Sequence, residues 1–226
     1  MLNQFTSQPI FGFTLCVIAY CIGVKLKSRF NYPIVNPLIV SAVICIAVLL
    51  VFGIPLENFK AGASTVGMFL APATAALALS MYRQMKVIKK NIVPIIVGCT
   101  VGSAVAVISI ALLCKAFGLT AEITASLIPK SITTAIASDL SAQLGGIPSI
   151  TVAAVAVTGI FGAVMSPYFI RWSRLDNSVA AGLAIGASCH ALGTSKAVEL
   201  GEVEGSLSGI AVGLCGLITV FLSLFI

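Results

Sequence analysis

Five apolar runs, at residues 11–24, 34–54, 92–113, 150–170 and 207–226, dominate this chain. Each is near the roughly 20 residues that a helix needs to cross a bilayer core. With no water inside the bilayer, every backbone N–H and C=O must be satisfied within the chain, so only helices and closed barrels can span. Runs of this length select helices. Composition agrees: 59% of the residues are hydrophobic and 9% are charged, where a soluble domain carries about 25% charged residues. The sequence therefore predicts an all-α polytopic integral membrane protein, a single membrane domain over residues 1–226, with no soluble domain of any size.

The formal net charge of +6 does not read as a nucleic-acid footprint. The basic residues cluster at the ends of spans: Lys25, Lys27 and Arg29, then Arg83, Lys86, Lys89 and Lys90, then Arg171 and Arg174. That is the positive-inside pattern, which places these loops in the cytoplasm; contact with anionic lipid is a second reading of the same charge. Met1-Leu2-Asn3-Gln4-Phe5-Thr6 has no basic n-region, so the first apolar run reads as a retained span and not as a signal peptide.

Charge placement then sets a topology. Spans are expected at residues 9–24, 33–54, 63–82, 91–114, 148–170 and 205–226. The segment 120–142 is long enough to span, but if it did, Arg171 and Arg174 would fall outside. A hairpin that dips in and returns keeps them in the cytoplasm. The segment 178–202 becomes a second re-entrant element, entering from the opposite side. The expectation is about six full spans plus two re-entrant or broken-helix elements. A weak internal similarity between residues 70–75 and 127–132 is compatible with an inverted repeat.

Two lysines stand where a lysine is costly. The first lies in Pro129-Lys130-Ser131-Ile132-Thr133-Thr134, the second in Cys189-His190-Ala191-Leu192-Gly193-Thr194-Ser195-Lys196-Ala197-Val198-Glu199. An ionisable residue inside a membrane domain is by default a site for substrate, ion or proton. Proline suits the first turn of a helix, and a half-helix starting at mid-membrane exposes free N–H groups to an anion. Ser131, Thr133 and Thr134 add hydroxyls to Lys130; Thr194 and Ser195 add them to Lys196. Asn36-Pro37 and Pro72-Ala73-Thr74 break other spans and make Asn36 and Thr74 further candidates for lining a cavity. The structural alternatives stay open: Lys130 paired with Asp139 or Glu199, and Lys196 paired with Glu199 three residues on, on the same helix face.

Glu199, His190 and Asp139 are the candidates for proton coupling, since burial can bring a carboxyl pKa into the working range and histidine titrates near neutrality. Glu202 and Glu204 read as a solvated turn. Gly98-x-x-x-Gly102 reads as a small-residue face for helix packing. The seven cysteines form no C-x-x-C pair, and Cys189 beside His190 supplies two ligands, too few for a zinc site. No hydrolase, nucleotide-binding or metalloprotease motif is present, so neither an enzyme nor a cofactor is expected.

At these residues the chain resembles the LrgB/CidB family of bacterial inner-membrane proteins, including its YohK-type members. The matching stretches are Asn36-Pro37-Leu38-Ile39, Phe69-Leu70-Ala71-Pro72-Ala73-Thr74-Ala75-Ala76-Leu77-Ala78, Pro129-Lys130-Ser131-Ile132-Thr133-Thr134-Ala135-Ile136-Ala137, and Cys189 to Ala197 running on to Glu199-Leu200-Gly201-Glu202. The pattern departs at Ala135, where proline is expected in many members of the family. The resemblance implies a multi-pass protein of the inner (plasma) membrane and two functional accounts. One is transport of small monocarboxylates of the pyruvate, glycolate or glycerate class, as in the related plant plastidial translocator. The other is a holin/antiholin-like modulator of murein hydrolase activity or export and autolysis. Both imply an LrgA/CidA-type membrane partner, and a homo-oligomer is compatible with either.

Overall fold

The computed structural model describes residues 6–30 and 36–225, and within them the side chains of Leu70, Ala71, Thr74 and Leu77 are not described. The described residues form helices and turns without strands, as expected. Four helices are long and apolar enough to cross a membrane: Pro9–Arg29, Ile92–Ala116, Pro148–Trp172 and Glu202–Ser223. That makes this a membrane protein. The expected count of six full spans exceeds these four.

The chain divides into two compact units, residues 1–76 and 77–226. In the first, α1 (Pro9–Arg29) packs on α2 (Pro37–Val51) and on α3 (Leu56–Gly67). Small residues permit both contacts. Gly12 of α1 lies so close to α3 that a methyl group there would come within 2.9 Å of the Gly62 Cα. Gly23 meets the backbone of Pro37 in the same way. Asn36 begins α2 by accepting a hydrogen bond from the Leu38 N–H at 2.9 Å, so its side chain serves as a helix cap. The start of the expected second span, at Pro33, lies outside the described residues.

The expected third span, residues 63–82, is interrupted. α3 ends at Gly67 and α4 (Leu70–Arg83) begins after Met68 and Phe69. At 12 and 14 residues, these helices rise only about 18 and 21 Å, short of the ~30 Å core. The boundary between the two units falls within α4.

The second unit is built on α11 (Glu202–Ser223), which buries ten residues, more than any of the other three helices long and apolar enough to span. Around it stand α5 (Met85–Lys90), α6 (Ile92–Ala116), α7 (Ala121–Leu127), a 3-10 turn (Ile128–Ser131), α8 (Thr134–Gln143), α9 (Pro148–Trp172) and α10 (Ser178–Leu200). Ile95 and Cys99 of α6, Leu183 of α10, and Leu207, Ala211 and Cys215 of α11 share one core. A second core joins Ile132, Ala137, Leu140 and Val155. On α6 the exposed residues Val93, Val97, Val101, Val105, Ile108 and Leu112 recur at helical spacing, an apolar stripe suited to lipid. In α9, Pro167 cannot bond to the Ala163 carbonyl; the Ser166 hydroxyl donates to that oxygen at 3.4 Å.

Two segments fold back on themselves. In the first, α7, the 3-10 turn and α8 place residues distant in sequence side by side. The Ile147 N–H donates to Ser126 Oγ at 2.7 Å, and Thr151 Oγ1 lies 2.8 Å from the Ser126 carbonyl and 2.7 Å from Ser141 Oγ. In the second, α10 breaks at His190, where φ is 43° and ψ is −143°. Its two arms meet α11 in opposite senses. Gly182 faces Glu204 and Gly186 faces Ser208, so the first arm runs parallel to α11. Thr194 bonds Ser208 and Val198 faces Gly205, so the second arm runs back. The break thus falls three residues before Gly193, whose residue type breaks a helix more readily than histidine. Gly193 instead lets the arms close, since a methyl group there would run into Cys189 Cβ and Ile185 Cγ2.

The candidate anion site at the hairpin tips

The first hairpin leads into the start of α9, and the second begins beyond its end. α9 has 25 residues and rises about 37 Å, so the hairpins approach from opposite ends. Their tips converge on Val155. Ile132 from the first hairpin shares a core with the Val155 side chain, while His190 Nε2 lies 3.0 Å from the Val155 carbonyl. Gly159, one turn on, makes room for the imidazole; a methyl there would fall 2.5 Å from His190 Cε1.

Lys130 sits in this junction. The 3-10 turn that carries it packs on α6, α9 and α10. Its ammonium donates to Ser131 Oγ at 3.0 Å. Among the described residues no carboxylate pairs with it. Pro129 and Ser131 on either side are buried. A cleft of about 680 Å³ reaches Lys130 and Ser131, running between α6 and the first arm of α10 from Asn91 and Asn177. The chain is extended at Ile132, and α8 then starts at Thr134 with Thr133 as a half-buried cap residue that makes no side-chain bond. The first amides of α8 lack intrahelical partners, so the turn presents a cation, a hydroxyl and a helix start together.

The other candidates lie elsewhere. Thr134 and Asp139 are exposed, and Asp139 does not pair with Lys130. Thr194 is buried and used structurally, 3.1 Å from the His190 carbonyl and 2.8 Å from Ser208 Oγ. Ser195 Oγ donates to the Leu192 carbonyl at 2.7 Å. Lys196 pairs with Glu199, both partly exposed, and does not line the cleft. Asn36 belongs to the first unit, and the side chain of Thr74 lies outside the described residues.

Two contributions of α6 and α10 escaped the sequence reading. Gly98 and Gly102 line the cleft, and a methyl group at Gly98 would meet no atom within 4 Å. Gly98 is therefore not a packing contact within this chain. Ser188 and Ala184 separate the cleft from a second cavity of about 400 Å³ beside α9. Nothing in one sequence says which small residue faces a neighbour and which faces open space.

The model of the LrgB-like family matches residues 16–226. YxaC of Bacillus subtilis (strain 168) is 39% identical over 207 residues, covering 92% of this chain and 90% of its own length. YwbG of the same organism is 38% identical over 205 residues, 91% of each chain. A Bacillus cereus protein named antiholin-like protein LrgB is 37% identical over 216 residues, 95% of this chain and 94% of its own. No solved structure matches the chain.

Proposed function

The chain belongs to the LrgB-like family, and from that premise we propose an antiholin-like membrane protein whose molecular activity is to bind and carry small monocarboxylates. The names of the relatives favour the first half of this reading. It is the role of a modulator of murein hydrolase activity or export and of autolysis. It is exercised in the bacterial inner membrane with an LrgA/CidA-type partner.

One observation carries the second half. Lys130, with no carboxylate partner among the described residues, stands at the junction of two opposed hairpins and at the end of a cleft. Broken helices meeting at a shared site are the usual architecture of secondary transporters, and an intramembrane charge of this kind marks a substrate path. A carboxylate would take Lys130 as a point charge and Ser131 and Thr133 as hydroxyl donors. A pore that only lyses has no use for such a junction.

The test is uptake of radiolabelled pyruvate, glycolate and glycerate into vesicles holding the purified chain, with and without an LrgA-type protein. Saturable flux that discriminates among these acids supports a carrier. Leakage of an unrelated neutral dye without saturable flux would remove the carrier and leave the antiholin-like role alone.

A further inference from the structure

The cleft at Lys130 is far larger than a two- or three-carbon acid needs. Its 680 Å³ would hold about twenty waters at ~30 Å³ each. Its walls are mostly apolar: Gly98, Gly102 and Val105 on α6 face Leu183, Ala184 and Ala187 on α10. Asn91, Asn177 and Ser188 along it each make a bond within the chain. Asn91 Nδ2 donates to the Val87 carbonyl at 2.8 Å, and Asn177 Oδ1 accepts from the Val179 and Ala180 amides. Ser188 Oγ lies 2.6 Å from the Ala184 carbonyl and 3.0 Å from Cys189 Sγ. One cationic end on an apolar groove is the complement of an amphipathic anion.

The glycines of α6 have no packing duty here that would explain them. A methyl at Gly98 meets nothing within 4 Å, and one at Gly102 meets only the Ala187 Cβ, at 3.4 Å. Their effect is to keep the groove open. We propose that the site takes a carboxylate with a short apolar tail. The head sits on Lys130 and Ser131, the tail lies between α6 and the first arm of α10, and Gly98 sets the tail length admitted. This rests on the assignment of Lys130 as the anion partner. Extra hydroxyls, as in glycerate, would lie against a mostly apolar wall of glycines, alanines, Val105 and Leu183, and an apolar pocket discriminates against an added hydroxyl by up to about a hundredfold.

The experiment measures thermal stabilisation of the full chain in phospholipid nanodiscs by propionate, butyrate, hexanoate, glycolate and glycerate. The half-saturating concentration should fall about fourfold per methylene, from the transfer free energy of a buried CH₂. Glycerate should bind at least tenfold more weakly than butyrate. Gly98→Leu should weaken hexanoate at least tenfold more than propionate, and Gly98→Ala should do so to a smaller degree. Lys130→Gln should weaken stabilisation by every acid roughly ten- to hundredfold, which separates site binding from partition into lipid. A flat chain-length series, or glycerate equal to butyrate, overturns the proposal. Graded binding without saturable flux would remove the carrier and leave this site standing. Saturable flux with a preference for glycerate would do the reverse, and no stabilisation by any acid would overturn both.

Discussion

His190 Nε2 lies 3.0 Å from the carbonyl oxygen of Val155, the residue whose side chain shares a core with Ile132 of the other hairpin. A single turn of α9 therefore holds both tips. His190 is held there at a φ of 43° and a ψ of −143°, a region that favours glycine. Non-glycine residues in such regions cost about 1–3 kcal/mol and persist only where surrounding structure fixes them. The expected outcome reverses the usual ranking of these residues in helices: His190→Gly should be more stable than His190→Ala by about 1–2 kcal/mol. The alanine variant should also be less stable than the parent, because it keeps the strained backbone and loses the bond to Val155, worth about 1 kcal/mol. Thermal unfolding of the three proteins in the same nanodiscs decides it, and an alanine variant more stable than the glycine variant would contradict the strain.

Thr151 ties the base of the first hairpin. It is fully buried, with its hydroxyl 2.7 Å from Ser141 Oγ and 2.8 Å from the Ser126 carbonyl. Thr151→Val keeps the shape and removes both bonds, leaving buried partners unsatisfied. The expected loss is about 1–3 kcal/mol. The same change at exposed Thr134 should cost less than half as much. Equal unfolding midpoints for the two valine variants would show that the hydroxyl cluster does not hold the hairpin.

The first hairpin was legible because its signals are local. Proline, lysine and hydroxyls inside an apolar segment leave few arrangements that satisfy the backbone. The second was legible as a broken element but not in its breaking point. Gly193-Thr194-Ser195 has the composition of a break, yet Gly193 is spent on close packing and Thr194 on a bond to Ser208, while the reversal falls on a histidine that propensity would never select. Gly98 shows the same limit. Its four-residue spacing from Gly102 suggests a packing face, but which side of α6 has a neighbour is a tertiary fact. The gap at Met68 and Phe69 falls just before Pro72, the breaker the sequence places in this span, because proline is tolerated in the first turn of a helix and not in its interior.

The positive-inside pattern, taken with two re-entrant hairpins, predicts which loops share a side. Met85 and Ser173 should lie in the cytoplasm, and the loop after α8 on the other face. Gly146 is a poor place for a reporter in that loop, because a side chain there would come within 2.6 Å of Ser141 Oγ and 2.7 Å of the Ser126 nitrogen. Gln143 and Ser149 are exposed and suit the purpose. Single cysteines at 85, 173, 143 and 149 in a cysteine-free background should label in two groups. An impermeant thiol reagent applied from outside whole cells should reach 143 and 149 and leave 85 and 173 unlabelled. Labelling at 173 from outside would mean that residues 120–142 cross the membrane.

Lys130 and Lys196 looked equivalent in the sequence, and their surroundings separate them. Lys130 lines the cleft with Ser131 as its partner; Lys196 is paired with Glu199, at side-chain exposures of 29% and 52%. Lys130→Gln should remove one charge-assisted contact of about 1.5–3 kcal/mol, weakening carboxylate binding roughly ten- to hundredfold. Membrane insertion should survive, since an unpaired intramembrane charge is a cost to the fold. Lys196→Gln should change binding less than about threefold, because an exposed pair contributes only ~0–1 kcal/mol. Competition against labelled pyruvate, at matched protein levels, measures both. A larger loss at Lys196 than at Lys130 would move the anion site to the far arm of the second hairpin and away from the cleft.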